Sequence, residues 1–137
     1  KNEKFDGLVI LQTLSWIDNW KQALSQIAKT DTNWIGFSAL FYEGLIDAVI
    51  QIRKYDSNYK RFHESPYNVL SIPIVEDYLK SIGYKDIRWK KFDIAIDLEQ
   101  GDIDQMGTYT KNLVNGEKIQ ISGPVMMPWW FGFARKK

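Results

Sequence analysis

The sequence predicts an α/β protein in which parallel strands flanked by helices lead into a terminal antiparallel strand and hairpin insertions. Three observations predict it. The continuous apolar run over residues 5–11, Phe5-Asp6-Gly7-Leu8-Val9-Ile10-Leu11, reads as a strand covered on both faces, as strands of parallel sheets are. A second apolar run over 34–42 follows a helical stripe, and strand, helix and strand in about 40 residues make a right-handed parallel crossover. The segment 108–122 is a hairpin around Asn115-Gly116, the pair that fits a two-residue type I′ turn, so the chain ends antiparallel.

The elements follow in order. The first helix opens near residues 16–18 and runs to about Ala28, with Trp16, Trp20, Leu24, Ile27 and Ala28 at three- and four-residue spacings. Ser15 and Asp18 both suit its N-cap. Asp31-Thr32-Asn33 is a turn cluster before the second strand. An extra strand is expected over 48–55, then a polar, irregular stretch over 56–66. Ser71 caps the next helix and Pro73 falls in its first turn, where a missing N–H costs nothing. Val75, Tyr78, Leu79 and Ile82 form its apolar stripe, and Gly83 ends it. Residues 87–98 alternate as a strand with a break, read as a bulge, near Lys90-Lys91. The run 129–134 is the last strand.

Composition narrows the function. A chain of 137 residues is one domain in size, and 45% hydrophobic content suffices for a real core. The net charge of +1, with basic residues scattered among acidic ones, argues against nucleic acid as a partner. No apolar run approaches the roughly 18 residues of a membrane span, so no membrane partner is expected. The absence of cysteine excludes disulfides, a thiol nucleophile and a thiolate metal site, and it fits a cytoplasmic location. Six Trp and seven Tyr suit a lined cavity, a large interface or a dense aromatic core. The chain starts at Lys1 with a strand almost at once, which suggests truncation or processing.

One family resemblance connects these pieces. Phe5-Asp6 leading an apolar strand, then Leu14-Ser15-Trp16-Ile17, then a helix carrying Ala23-Leu24 and Ile27-Ala28, resembles the middle of class I S-adenosylmethionine-dependent methyltransferases. The helix over 73–82, Gly83-Tyr84, the strand over 87–98 and the ending Phe131-Gly132-Phe133-Ala134-Arg135-Lys136 are similar to that family's last helix and closing antiparallel pair. The resemblance implies a partial, single methyltransferase domain: the C-terminal half of a Rossmann-like sheet, with hairpin insertions at about 44–66 and 101–125 covering a substrate. It also implies S-adenosylmethionine as cofactor of the complete enzyme and a small-molecule methyl acceptor. The family's glycine-rich cofactor loop has no counterpart, since Gly36, Gly44 and Gly83 stand too far apart. The first strand would then have an open edge, suggesting a homodimer or another strand paired across residues 5–11.

Ligands of open α/β sheets sit at the carboxyl ends of the strands. On the resemblance, Gln12, Thr13, Leu14 and Trp16 lie beside the cofactor. Tyr42, Tyr67, Asn68, Tyr109 and Trp129 are candidates to line the acceptor site. Glu43 and His63, the one histidine, are candidates for orienting or deprotonating an acceptor. Packing, capping and solvation are competing roles for each of these residues. No metal is expected, although Asp102 and Asp104, neighbours in a loop, would suit a weak cation. The alternative function is a non-enzymatic binding module that engages a partner through its open strand edge and aromatic surface.

Overall fold

The computed structural model describes residues 5–136. β1 (Gly7–Leu11) leads into a single 3-10 turn, Leu14–Trp16. α1 (Trp20–Ala28) is capped by Asn19, whose side chain accepts from the Gln22 N–H. Ser15, one of the two expected caps, is instead buried, and its hydroxyl accepts from the Leu40 N–H at 2.9 Å. β2 (Trp34–Tyr42) pairs in parallel with β1. β3 (Gln51–Tyr55) and β4 (Arg61–Pro66) form an antiparallel hairpin. Most of the stretch expected to be irregular is therefore strand, joined by a turn in which the Asp56 carboxylate accepts from the Asn58 and Lys60 N–H groups.

β5 (Leu70–Ser71) adds a short parallel pairing to β2. α2 (Ile72–Ser81) starts on Ser71 as expected, with Ser71 Oγ accepting from the Ile74 N–H at 3.4 Å. Past its end, Gly83 takes φ +103°, a left-handed conformation that suits glycine. β6 (Asp86–Lys91), β7 (Thr108–Asn112), β8 (Lys118–Ser122), β9 (Val125–Met126) and β10 (Trp129–Arg135) complete the chain. The main sheet runs β1-β2-β10-β6, with β5 beside β2; β3-β4 and β7-β8-β9 are separate sheets.

This architecture overturns the expected α/β class, including its reading as part of a Rossmann-like sheet of parallel strands flanked by helices. Strands make up 41% of the protein and helices 17%, with two α-helices among the described residues. Parallel pairing is confined to β1–β2 and β2–β5, whereas β10 is antiparallel to both β2 and β6, and the smaller sheets are antiparallel. The protein is mostly β, built on one mixed sheet. The difference starts at 5–11. Leu8 and Ile10 pack on the core, but Val9 and Leu11 are 57% and 59% exposed, so β1 is buried on one face, not two.

Two further expectations fail locally. β6 stops at Lys91; the Phe92 N–H still donates to Trp129 O, but residues 93–98 leave the sheet, where the Leu98 carbonyl accepts from the Thr110 N–H and the Leu98 N–H donates to the Thr110 hydroxyl. The loop between β7 and β8 is longer than a type I′ turn. Gly116 has φ +84° while Asn115 is not in the left-handed region, and Leu113 N–H donates to Glu117 O. That is a three-residue loop with glycine at its left-handed position.

The core lies between the sheet and both helices. α1 and α2 share one face: the Tyr78 hydroxyl donates to Lys21 O at 2.9 Å and meets the Ser25 hydroxyl, and Trp20 meets the Tyr78 ring edge-on at 5.4 Å. Beneath them, Ile35, Phe37, Ala39 and Phe41 of β2 are fully buried. Gly132 and Ala134 make the facing side of β10 low, which leaves room for the rings of Phe37 and Trp89. Ser38 and Phe131 lie on the opposite face with Val9 and Leu11, where neither helix packs.

Candidate functional site

Strand directions gather the site. β1 and β2 are parallel, so Leu11 and Tyr42 end at the same side of the sheet, and antiparallel β10 begins there at Trp129 opposite Leu40. Above this edge, the 92–98 segment and the β7–β8 hairpin arch over the helix-free face. Between them is a cleft of about 590 Å³ whose walls include Leu11, Phe92, Ile94, Leu98, Trp129 and Phe131. Its polar groups come from Gln12, Ser38, Thr108 and Gln120; no charged side chain lines it.

Gln12 is held in an unusual backbone conformation. Its φ is +54°, which costs a non-glycine residue roughly 1 kcal/mol or more. The Ser38 carbonyl and hydroxyl accept from its N–H at 2.9 and 3.1 Å, pinning the loop across β2. The Thr13 hydroxyl turns back to donate to Leu11 O at 2.8 Å.

The hairpin contributes the least expected feature. Ile119 and Ile121 alternate with Gln120 and Ser122, and an apolar-inward pattern would bury the isoleucines. Instead Gln120 and Ser122 are buried while Ile119 and Ile121 are half-buried. Gln120 is 7% exposed, lines the cleft, and its side chain makes no hydrogen bond among the described residues. Its carboxamide atoms are not sealed from solvent, so they remain open to pairing inside the cleft.

Of the expected site residues, the cleft brings together Gln12 and Trp129. Leu14 is 1% exposed and packs in the main core. The half-exposed Trp16 ring lies 4.2 Å from the Tyr67 ring. Tyr67 is buried, its hydroxyl donates to Met127 Sδ at 2.7 Å, and burial pushes its pKa up to about 12 against the opposing pull of Ser122. Asn68 is spent on backbone: its carboxamide oxygen accepts from the Ile50 N–H, and its own N–H donates to Ser15 O. Tyr109 lies beyond the cleft, its hydroxyl donating to Gly123 O at 3.3 Å.

Tyr42 is half-exposed and covers Gly44, where a Cβ would lie 2.6 Å from its ring. Glu43 is exposed at the end of β2. His63 is exposed on β4, its Nε2 3.1 Å from the Ser65 hydroxyl, and no hydrogen bond or ion pair joins it to Glu43 among the described residues. Asp102 accepts from the Asp104 N–H and the Gln105 side chain, a local turn rather than a cation cage.

Sequence reasoning missed Gln120, Ser38 and the 92–98 wall. The Trp129-Trp130-Phe131 run was a usable signal for the cleft, whereas Gln120 gave a misleading one.

The residues expected at the cofactor do not fit that task as a set. Leu14 is in the core, Trp16 stacks on Tyr67, the Thr13 hydroxyl serves its own loop, and Gln12 alone faces the cleft. Gly83, Gly116 and Gly123, the described glycines with positive φ, occupy three separate turns, so no glycine-rich loop presents backbone N–H groups together. Neither a family model nor a curated protein matches the sequence.

Proposed function

We propose that this chain forms the acceptor-binding side of an S-adenosylmethionine-dependent methyltransferase that acts on a small molecule. The observation that carries the reading is the cleft at the common end of β1, β2 and β10, which brings Gln12 and Trp129 together. The series from Phe5 to Tyr42, which resembles the methyltransferase family, and a last strand antiparallel to its neighbours support it. Methyl transfer is an in-line displacement, so the enzyme's main task is to align the acceptor and exclude water. Aromatic walls and a pinned Gln12 loop suit alignment. Of Gln12, Thr13, Leu14 and Trp16, Gln12 alone shapes the cleft, and the four together do not supply the cofactor's grip.

A second reading has its own observation. β1 lies at the edge of the main sheet, with Val9 and Leu11 exposed beside it. Such an edge invites a further strand, from a second copy or another polypeptide, and a non-enzymatic binding module would use it. Among the described residues no helix is long and apolar enough to cross a membrane.

Calorimetry with S-adenosylmethionine separates the two. The polypeptide made from the whole natural reading frame should give saturable heat, and the 137-residue chain alone little or none. A folded natural polypeptide that gives no heat refutes methyl transfer. Slowed hydrogen exchange at the Val9 and Leu11 amides in its presence of a partner would then support the binding module.

A further inference from the structure

We infer that the cleft between the sheet and the β7–β8 hairpin binds a flat, uncharged small molecule with a donor–acceptor edge, of the cyclic-amide kind, read by the Gln120 carboxamide. The inference stands on the cleft alone; the role of the ligand as methyl acceptor rests on the reading above. Three observations define the ligand. The volume of about 590 Å³ suits a fused two- or three-ring molecule. Trp129, Phe131 and Phe92 offer ring faces and edges, with Phe92 and Phe131 meeting edge-on at 5.6 Å, so a flat apolar body is preferred. The lining carries no charge, so an anion or cation entering it loses hydration without compensation.

Gln120 supplies the specificity. A carboxamide has an acceptor oxygen and two N–H donors, and a cis-amide edge presents the complementary pair at matching spacing. The position is rigid, since β8 pairs with both β7 and β9 and the Met127 N–H donates to Gln120 O at 2.8 Å. The side chain is 7% exposed, without a hydrogen-bond partner among the described residues, and lines the one cleft that also holds Gln12. A ligand that pairs with it replaces the carboxamide's contact with solvent by complementary hydrogen bonds, whereas one lacking the edge displaces that solvent without replacing it.

The probe is 2-quinolinone, compared with N-methyl-2-quinolinone, which lacks the donor, and 2-naphthoate, which is charged. Titration of the isotope-labelled chain by NMR should shift the Trp129 indole and Gln120 side-chain signals. The expected dissociation constant for 2-quinolinone is on the order of 0.1–1 mM for so small a ligand. N-methyl-2-quinolinone should bind about tenfold more weakly, and 2-naphthoate should not saturate. In Gln120→Met the gap between the two quinolinones should close. The preference for the neutral N–H compound over the anion is read on the unmodified chain, so a variant that fails to fold leaves the test intact. Equal binding of 2-naphthoate, a gap that persists in Gln120→Met, shifts confined to other residues, or a dimer that buries Trp129 would each overturn the inference. Binding here with no S-adenosylmethionine heat in the natural polypeptide would retain the cleft's ligand and remove methyl transfer.

Discussion

Replacing Gly132 with alanine tests how the core of the main sheet is built. A Cβ at Gly132 would lie 2.3 Å from two atoms of the Phe37 ring, over an ångström inside normal carbon–carbon contact. That ring has little room to move. Trp89 meets it edge-on at 5.4 Å, Phe41 lies 6.0 Å away, and Phe37 is 1% exposed. Relief requires several packed aromatics or the β10 backbone to shift together, and overpacking of this kind costs about 1–3 kcal/mol, here at the upper end. For a domain of this size about 3 kcal/mol lowers Tm by roughly 10 °C. Gly36 is the matched control: a Cβ there would find its nearest atoms at 3.7 and 4.0 Å, so Gly36→Ala should stay within about 0.5 kcal/mol. Urea unfolding followed by tryptophan fluorescence measures both. A loss below about 1 kcal/mol for Gly132→Ala, or equal losses for the pair, would refute the argument from packing.

Two further outcomes are expected. The buried Tyr84 hydroxyl has no hydrogen-bond partner among the described residues, so Tyr84→Phe should be neutral or stabilise by up to about 1 kcal/mol; a loss above that in urea unfolding would mean the hydroxyl is paired. The Glu76 carboxyl is held below its ordinary pKa, first by the hydrogen bond from Lys80, with Trp89 Nε1 donating to its other oxygen at 3.0 Å. A depressed folded pKa gives stability that is present above the unfolded value and lost as pH falls through the folded one, so the midpoint should drop below about pH 4 and Glu76→Gln should flatten that limb. Identical acid limbs for the two proteins would count against it.

What the sequence revealed depended on how far each signal reached. Ser71 and Pro73 mark the start of α2 because a cap acts within one turn. The run 34–42 is a strand because seven apolar and aromatic side chains in nine residues cannot be left in water. Failures came where a neighbour decides the outcome. The stretch 93–98 alternates well enough for a strand, but β10 ends its partnership with β6 at Lys91 opposite Trp130. Whether 5–11 is covered on one face or two depends on what packs against Val9 and Leu11, which no local pattern encodes. In the cleft, Trp129 was legible as one of a run of aromatics. Gln120 was not, because β8 turns its polar side inward against the rule that alternation suggests. Consistency across levels breaks at this one hairpin, where a ligand site is proposed.

The position of β10 has a consequence for how the protein is made. β6 joins the main sheet through β10 alone, and β10 sets Arg135 against Trp34 and Trp129 against Leu40. On the ribosome, β1, α1 and β2 emerge early, yet the β2 flank awaiting β10 stays bare until the residues from Trp129 onward have been synthesised. These distant pairings make for slow closure and a long interval in which an apolar strand is open to wrong partners. Nascent chains arrested just short of Trp129 should therefore be strong chaperone clients, and release of Arg135 should mark the moment at which the sheet can close.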